Sequence, residues 1–254
     1  MKSLIKTSRS SAVATVVLNR PERHNSLIPA LLRELLDSIE TVGNDRAIRA
    51  VVLAAEGKSF STGGDVKAFF AAGDDLADYA AETVGLLNDI IMAMIRLPQP
   101  IIAAVHGMVT GGSLGLLLGS DVVLMAPEAT ITPWYPVAGY SPDGGWTAIL
   151  PNVIGSRRTA MTLLRNETIT ADDAVAWGIA ADVVPAAGIR VRAEALAQEI
   201  AEMQPGSIVA TKRLLNTDTS LVAAALEQER TAFVKQIVTP EARKGMAAFL
   251  GMLR

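Results

Sequence analysis

Two glycine-containing turns some fifty residues apart, FSTGGD at 60–65 and HGMVTGGSLG at 106–115, carry the strongest chemical signal in this chain. Each follows a short apolar, β-branched run and opens into a segment with helical spacing, so each presents main-chain N–H groups at a helix N-terminus, where oxyanions bind. Two such donors converging on one carbonyl oxygen would stabilise an enolate or a tetrahedral intermediate. The pair therefore points to acyl chemistry. Gly111-Gly112-Ser113-Leu114-Gly115 also fits the G-x-S-x-G nucleophile elbow. That elbow needs a histidine downstream, and both histidines, His24 and His106, precede Ser113. No G-x-G-x-x-G occurs, and the Gly107–Gly112 spacing lacks the lysine of a P-loop.

Composition narrows the remaining classes. The 254 residues and 50% hydrophobic content suit one large α/β domain with an appended tail. With 23 basic residues scattered among 26 acidic ones and a net charge of −3, there is no basic stripe for nucleic acid. There is no cysteine, hence no disulfide, thiolate site or cysteine nucleophile, and two histidines without metal spacing give no expected metal site. The apolar stretches fall short of a membrane span, so no membrane partner is expected. The first twenty-one residues lack acids and carry Lys2, Lys6, Arg9 and Arg20, as a targeting peptide does, but AVATVVLNR already reads as a strand. A cytoplasmic protein without a cleaved presequence is expected.

The elements that must position the turns follow from periodicity. AVATVVL (12–18), AVVLAA (50–55), IIAAV (101–105), DVVLMA (121–126) and ATITPW (129–134) read as strands, with helices over 31–42 and 76–97, the latter ended by Pro98 and Pro100. This strand-strand-helix rhythm predicts an α/β fold of stacked, parallel-type sheets with helices outside, in no simple doubly wound order. After Gly144 the pattern is almost wholly helical: a helix near 147–164, TADDAVAWG capped by Thr170, a short strand ADVVP and four helical segments to Arg254, with apolar stripes of core or subunit-interface type.

LNRPERHNSL (18–27), SFSTGGDVKAF (59–69), PIIAAVHGMVTGGSLGL (100–116), SPDGG (141–145) and ITADDAVAWGIAADVV (169–184) together resemble the successive blocks of the enoyl-CoA hydratase/isomerase (crotonase) superfamily, nearly end to end. The resemblance implies a crotonase-like spiral of ββα units over 1–195 holding an acyl-CoA site, and a C-terminal helical region over 196–254 that builds a homotrimer or a dimer of trimers. The implied ligand is an acyl-CoA thioester, with no cofactor beyond coenzyme A itself.

Carried over by position, the resemblance places the oxyanion donors on the backbone N–H groups of Gly64 and Gly112, where a side chain would obstruct the thioester. The two glutamates that hydratases use to activate water fall on Gly115 and Tyr135, neither a general base at neutral pH. Asp143 stands where the isomerase-like and dehalogenase-like branches carry their catalytic carboxylate. Around it lie Trp134, Tyr135, Tyr140 and Trp146, four of this chain's six tryptophans and tyrosines; as pocket walls they would desolvate Asp143 and raise its pKa toward neutrality. Pro142-Asp143-Gly144 is also good turn grammar on its own. Ser61, Gly63 and Asp65 join the substrate-binding set, Asp65 also as a helix cap beside a solvated Lys67. Arg23 and His24 lie in the block that meets the nucleotide part of coenzyme A, and Phe249 and Arg254 in the terminal helix, where Met252 replaces the family's usual lysine. The expected activity is an enoyl-CoA isomerase. Its alternatives are a hydratase-like or a dehalogenase- or hydrolase-like enzyme using Asp143, the latter by nucleophilic attack, or a catalytically silent acyl-CoA-binding protein.

Overall fold

The computed structural model describes residues 3–216 and 218–252. Its strands are β1 (Ile5–Ser10), β2 (Val13–Leu18), β3 (Ala50–Ala55), β4 (Ile101–Val105), β5 (Met108–Thr110), β6 (Val122–Met125), β7 (Thr130–Thr132), β8 (Ile169–Thr170) and β9 (Asp182–Val183). A six-stranded sheet runs β1-β2-β3-β4-β6-β9, and a three-stranded one β5-β7-β8. The order never doubles back, so the sheets wind in one direction. In β4-β5 and β6-β7 one strand joins the large sheet and the next the small one, and a helix follows, Leu114–Leu118 or Tyr135–Ala138. After β3, an isolated parallel bridge between Ser61 and Val109 takes the place of the second strand before helix Val66–Ala71. These are successive ββα turns of a spiral.

All residues of β2, β3 and β4 are buried. Helix Pro29–Asn44 packs on β1 and β2, and helix Ile189–Ala201 packs on β2, β3 and β4. Covering both faces explains the near-continuous apolar runs of these strands. Helix Ile189–Ala201 buries Ala193 and Ala197, one turn apart, against the sheet. Residue 195, the expected boundary of the core, lies inside this helix.

Several expectations from the sequence need correction. β1 was not anticipated; it pairs antiparallel with β2 from Ile5↔Leu18 to Ser10↔Val13, and its outward residues are polar. The strand expected over 129–134 stops at Thr132, because Pro133 has no N–H and Trp134 turns into the left-handed region at φ 64. The helix expected over 147–164 is two helices, Leu150–Ile154 and Ser156–Arg165, broken at Gly155 with φ 84. The Thr170 cap holds: its hydroxyl accepts from the Asp173 N–H at 3.1 Å. Four helices close the chain, as expected.

One buried cation ties that helical tail to the sheet. Lys212, on helix Pro205–Leu215, donates to the Met94 and Gln99 carbonyls at 3.1 Å and to Asp121 Oδ2 at 2.7 Å. Asp121 Oδ2 also accepts from the Ile101 N–H at the start of β4. Burial pulls the Lys212 pKa down against the opposing pull of Asp121. Lys212→Met removes the cation that pairs with Asp121 and the donor to two carbonyls, and is expected to lower the free energy of unfolding by about 3 kcal/mol in urea denaturation.

Candidate active site

β3 and β4 are parallel neighbours, so the chain leaves both at the same end of the strands. The two glycine turns begin there. Backbone bonds then join them: Phe60 N–H to His106 O at 2.9 Å, Ser61 N–H to Met108 O at 3.1 Å and Thr110 N–H to Ser61 O at 3.1 Å. Contact is so close that a Cβ on Gly63, whose φ is +68°, would lie 2.5 Å from the Thr110 carbonyl oxygen. The Ser113 hydroxyl is buried within hydrogen-bond distance of the Ser61 and Thr110 carbonyls. It braces the two turns and lies outside the cavity lining.

A cavity of about 440 Å³ opens over this junction. Gly64 and Gly112 line it, and among the described residues neither amide donates to another group of the chain. Asp143 closes one side. Its carboxyl oxygen Oδ1 accepts from the Tyr135 hydroxyl at 2.7 Å, and the same hydroxyl lies 3.0 Å from the Asp143 carbonyl oxygen. The other oxygen, Oδ2, faces the second turn: a Cβ on Gly112 would sit 2.5 Å from it. So the carboxyl has one oxygen tethered and one beside the Gly112 main chain.

Asp143 is 6% exposed, and burial pushes its pKa from 3.8 up to about 7. The Tyr135 hydrogen bond pulls it down, and the carboxylate of Glu229 pushes it up. Tyr135 is held well above its ordinary value, chiefly by burial and then by the Asp143 charge, so it remains a phenol donor. Behind Asp143 the turn is anchored by Glu229, which accepts from the Gly145, Thr147 and Ala148 N–H groups and the Thr147 hydroxyl. Glu229 was missed in the sequence. Its signal was an acid on the buried stripe of helix Thr219–Ile237, in register with Leu226, Phe233 and Ile237.

Trp134, Tyr135, Tyr140 and Phe249 line the cavity. Trp134 is held at its positive φ by a hydrogen bond from its N–H to Asn166 Oδ1 at 2.7 Å. Tyr140 joins Phe69 and Phe233 in an aromatic wall, with centroids 5.5–6.4 Å apart. Phe69 reaches the first turn, since a Cβ on Gly64 would lie 2.5 Å from its ring. Trp146, expected as a wall, is instead fully buried outside the lining; its Nε1–H donates to the Gly111 carbonyl at 2.8 Å and its ring stands edge-on to Tyr135. Ser61 is likewise buried outside the lining, its hydroxyl donating to the Asn25 carbonyl.

Arg23, His24, Gly63, Asp65 and Lys67 also line the cavity. Asp65 caps helix Val66–Ala71 through the Ala68 N–H and accepts from Arg20, Arg23 and Ser26. Burial pushes its pKa up, but the two arginines outweigh that and hold it low. Arg23 is therefore already paired, and His24 Nδ1 lies 3.0 Å from Ser59 Oγ. Arg254 lies outside the described residues. Among those residues, no helix is long and apolar enough to cross a membrane.

A winding ββα spiral closed by a tail of helices is the fold of the crotonase class. The chain belongs to the enoyl-CoA hydratase/isomerase family, whose model matches residues 8–253, and is an acyl-CoA-processing member of it. It is 29% identical over 198 residues to 4-chlorobenzoyl coenzyme A dehalogenase-2 of an Arthrobacter species, covering 78% of this chain and 72% of the relative. It is 29% identical over 262 residues to 1,2-epoxyphenylacetyl-CoA isomerase of Escherichia coli, covering 98% and 96%. The crystal structure of an enoyl-CoA hydratase/isomerase from Mycobacterium paratuberculosis matches with a TM-score of 0.90 at 28% identity, covering 98% of this chain and 99% of that one.

A carboxyl whose pKa rises on folding stabilises the protein only while it is protonated. That contribution is complete below about pH 4 and is lost as the pH rises through about 7. On the scale of 1.36 kcal/mol per pKa unit the loss is up to roughly 4 kcal/mol. Asp143→Asn keeps an acceptor for Tyr135 and removes the charge. Urea unfolding is expected to find the variant about 2–4 kcal/mol more stable than the wild type at pH 8, with the difference shrinking toward pH 4.

Proposed function

We propose that this protein is an enoyl-CoA isomerase, with Asp143 as its single acid–base group. The observation that carries this reading is the placement of Asp143: one oxygen tethered by Tyr135, the other beside the Gly112 turn, in a site dry enough to bring its pKa to about 7. A base of that strength can take a proton and return it at neutral pH. With the thioester carbonyl between the Gly64 and Gly112 amides, Asp143 removes a proton from the α carbon of a β,γ-enoyl thioester. The electron pair passes into the carbonyl, and the amides stabilise the resulting dienolate oxygen. Protonation of the γ carbon by the same carboxyl leaves the double bond in conjugation and restores the carboxylate.

The competing chemistries fit less well. Hydration by a pair of glutamates lacks both acids, and a side chain at Gly115 would start 2.4 Å from Ile91 Cδ1 and 2.8 Å from the Gly144 carbonyl oxygen. Nucleophilic attack by Asp143, as a dehalogenase would use, creates an ester that a second base must help water to cleave. The titratable groups of the lining other than Asp143 and the two tyrosines are Glu22, Arg23, His24, Asp65 and Lys67, all in the block before the first turn or at that turn. The aromatic wall of Phe69, Tyr140 and Phe233 suits a flat or apolar acyl group. Exposed Leu214, Leu215 and Leu221 on the C-terminal helices suit a subunit interface, as the homotrimer or dimer of trimers would require.

Purified protein is expected to shift the double bond of a 3-enoyl-CoA, followed by the absorbance of the conjugated thioester. Asp143→Asn should lose at least about 10³-fold in kcat, and Gly112→Ala, whose methyl intrudes on the carboxyl, at least about 10²-fold. Tight thioester binding without turnover by the wild type points instead to a catalytically silent binding protein. Crotonyl-CoA hydration that survives Asp143→Asn would show that another acid does the work.

A further inference from the structure

We propose that Glu229 is a positioning residue for Asp143: its carboxylate clamps the turn that carries Asp143 and sets a fixed like charge behind it, so that the acid readily regains its proton within each turnover. The role of Glu229 in catalysis rests on the isomerase reading, and its effect on Asp143 rests on the clamp geometry together with the Glu229 charge.

The geometry is specific. Glu229 is 4% exposed and lies outside the cavity lining, so it cannot touch an acyl group. Its Oε2 accepts from the Gly145 N–H at 2.7 Å. Its Oε1 accepts from the Thr147 N–H at 2.6 Å, the Thr147 hydroxyl at 2.7 Å and the Ala148 N–H at 2.9 Å. Four donors for one carboxylate hold the turn immediately after Asp143, and Gly144 within it packs on the Gly112 carbonyl, where a Cβ would lie 2.3 Å away. Clamping residues 145–148 therefore fixes the spacing between Asp143 and the second glycine turn.

The charge effect follows from what else faces Asp143. Helix Tyr135–Ala138 presents the Tyr135 phenol, the second turn presents the Gly112 main chain, and helix Leu76–Arg96 presents Leu87 beside it. Helix Thr219–Ile237 presents Glu229, and among the described residues no cation pairs with either acid. An anion in this setting acts on Asp143 with little screening, and it disfavours the ionised form. Helix Thr219–Ile237 also places Phe233, one turn beyond Glu229, in the acyl wall, so one rigid element holds both the wall and the clamp.

The test is a ¹³C NMR titration of the Asp143 carboxyl, which needs no substrate. The wild-type midpoint is expected near 7. Glu229→Gln removes the like charge and should lower it by about one unit. Thr147→Val keeps the charge but removes one donor that partly neutralises it, and should raise the midpoint by about 0.3 unit. General loosening of the turn, by admitting water, would move both variants downward. Midpoints that stay put, or that move together, overturn the proposal. Should Glu229→Gln fail to fold, an upward shift in Thr147→Val supports the proposal and an unmoved or lowered one overturns it. Absent turnover of 3-enoyl-CoA would sink the isomerase reading and leave this result standing.

Discussion

The parallel pairing of β3 and β4 is the constraint on which the site depends. Two strands of the same direction must release the chain at the same end, and the connections that return it to the opposite end of the sheet place a glycine turn after each. Backbone bonds between the turns then fix what the strands have brought together. The Ser113 hydroxyl adds a side-chain brace to what is mainly a main-chain alignment. That alignment explains why two motifs nearly fifty residues apart border one cavity, and why the wall of that cavity is main chain where a thioester oxygen must approach.

Main-chain donors alone would give a binding site for an oxyanion. What makes the proposed chemistry reach a carbon is the carboxyl held opposite, and holding it costs stability. Asp143 is buried with Leu87 packed beside it, and that burial excludes water from the carboxyl. The same exclusion raises the proton affinity of Asp143, so basicity and destabilisation have one physical origin. Tyr135 tempers the effect with one hydrogen bond and orients the group in the same act.

Much of this was legible in the sequence, for reasons that differ by element. β2, β3 and β4 are long apolar runs because both faces are covered, and periodicity finds such runs easily. β5 and β8 have three residues and two and leave no periodic trace, whereas β9 shows in the short apolar run ADVVP. Asp143, Gly64 and Gly112 were readable because each sits in a motif whose spacing is itself constrained. Trp146 and Ser61 were misplaced because adjacency in sequence to a site residue does not say which way a side chain points. Trp146 turns inward to cap the Gly111 carbonyl, and Ser61 is consumed in holding Asn25. Glu229 was invisible because its partners lie about eighty residues earlier in the chain, and only the fold makes them neighbours.

Under the proposed function, the positions that the resemblance matches to the hydratase glutamates bear on which chemistry the scaffold favours. At Gly115 the space is taken by Ile91 and the Gly144 carbonyl, so restoring an acid there would require the helix Leu76–Arg96 or the Asp143 turn to move. At Tyr135 the replacement is a donor to Asp143 itself. A carboxylate in that place would add a second charge within hydrogen-bond reach of Asp143, and two buried carboxylates so close cannot both ionise. The tyrosine removes that conflict and leaves one acid whose proton affinity is set by burial, by a phenol in front and by an anion behind. Under the proposed function this arrangement suits a proton that leaves one carbon and returns to another two bonds away, a task in which a second acid would only compete.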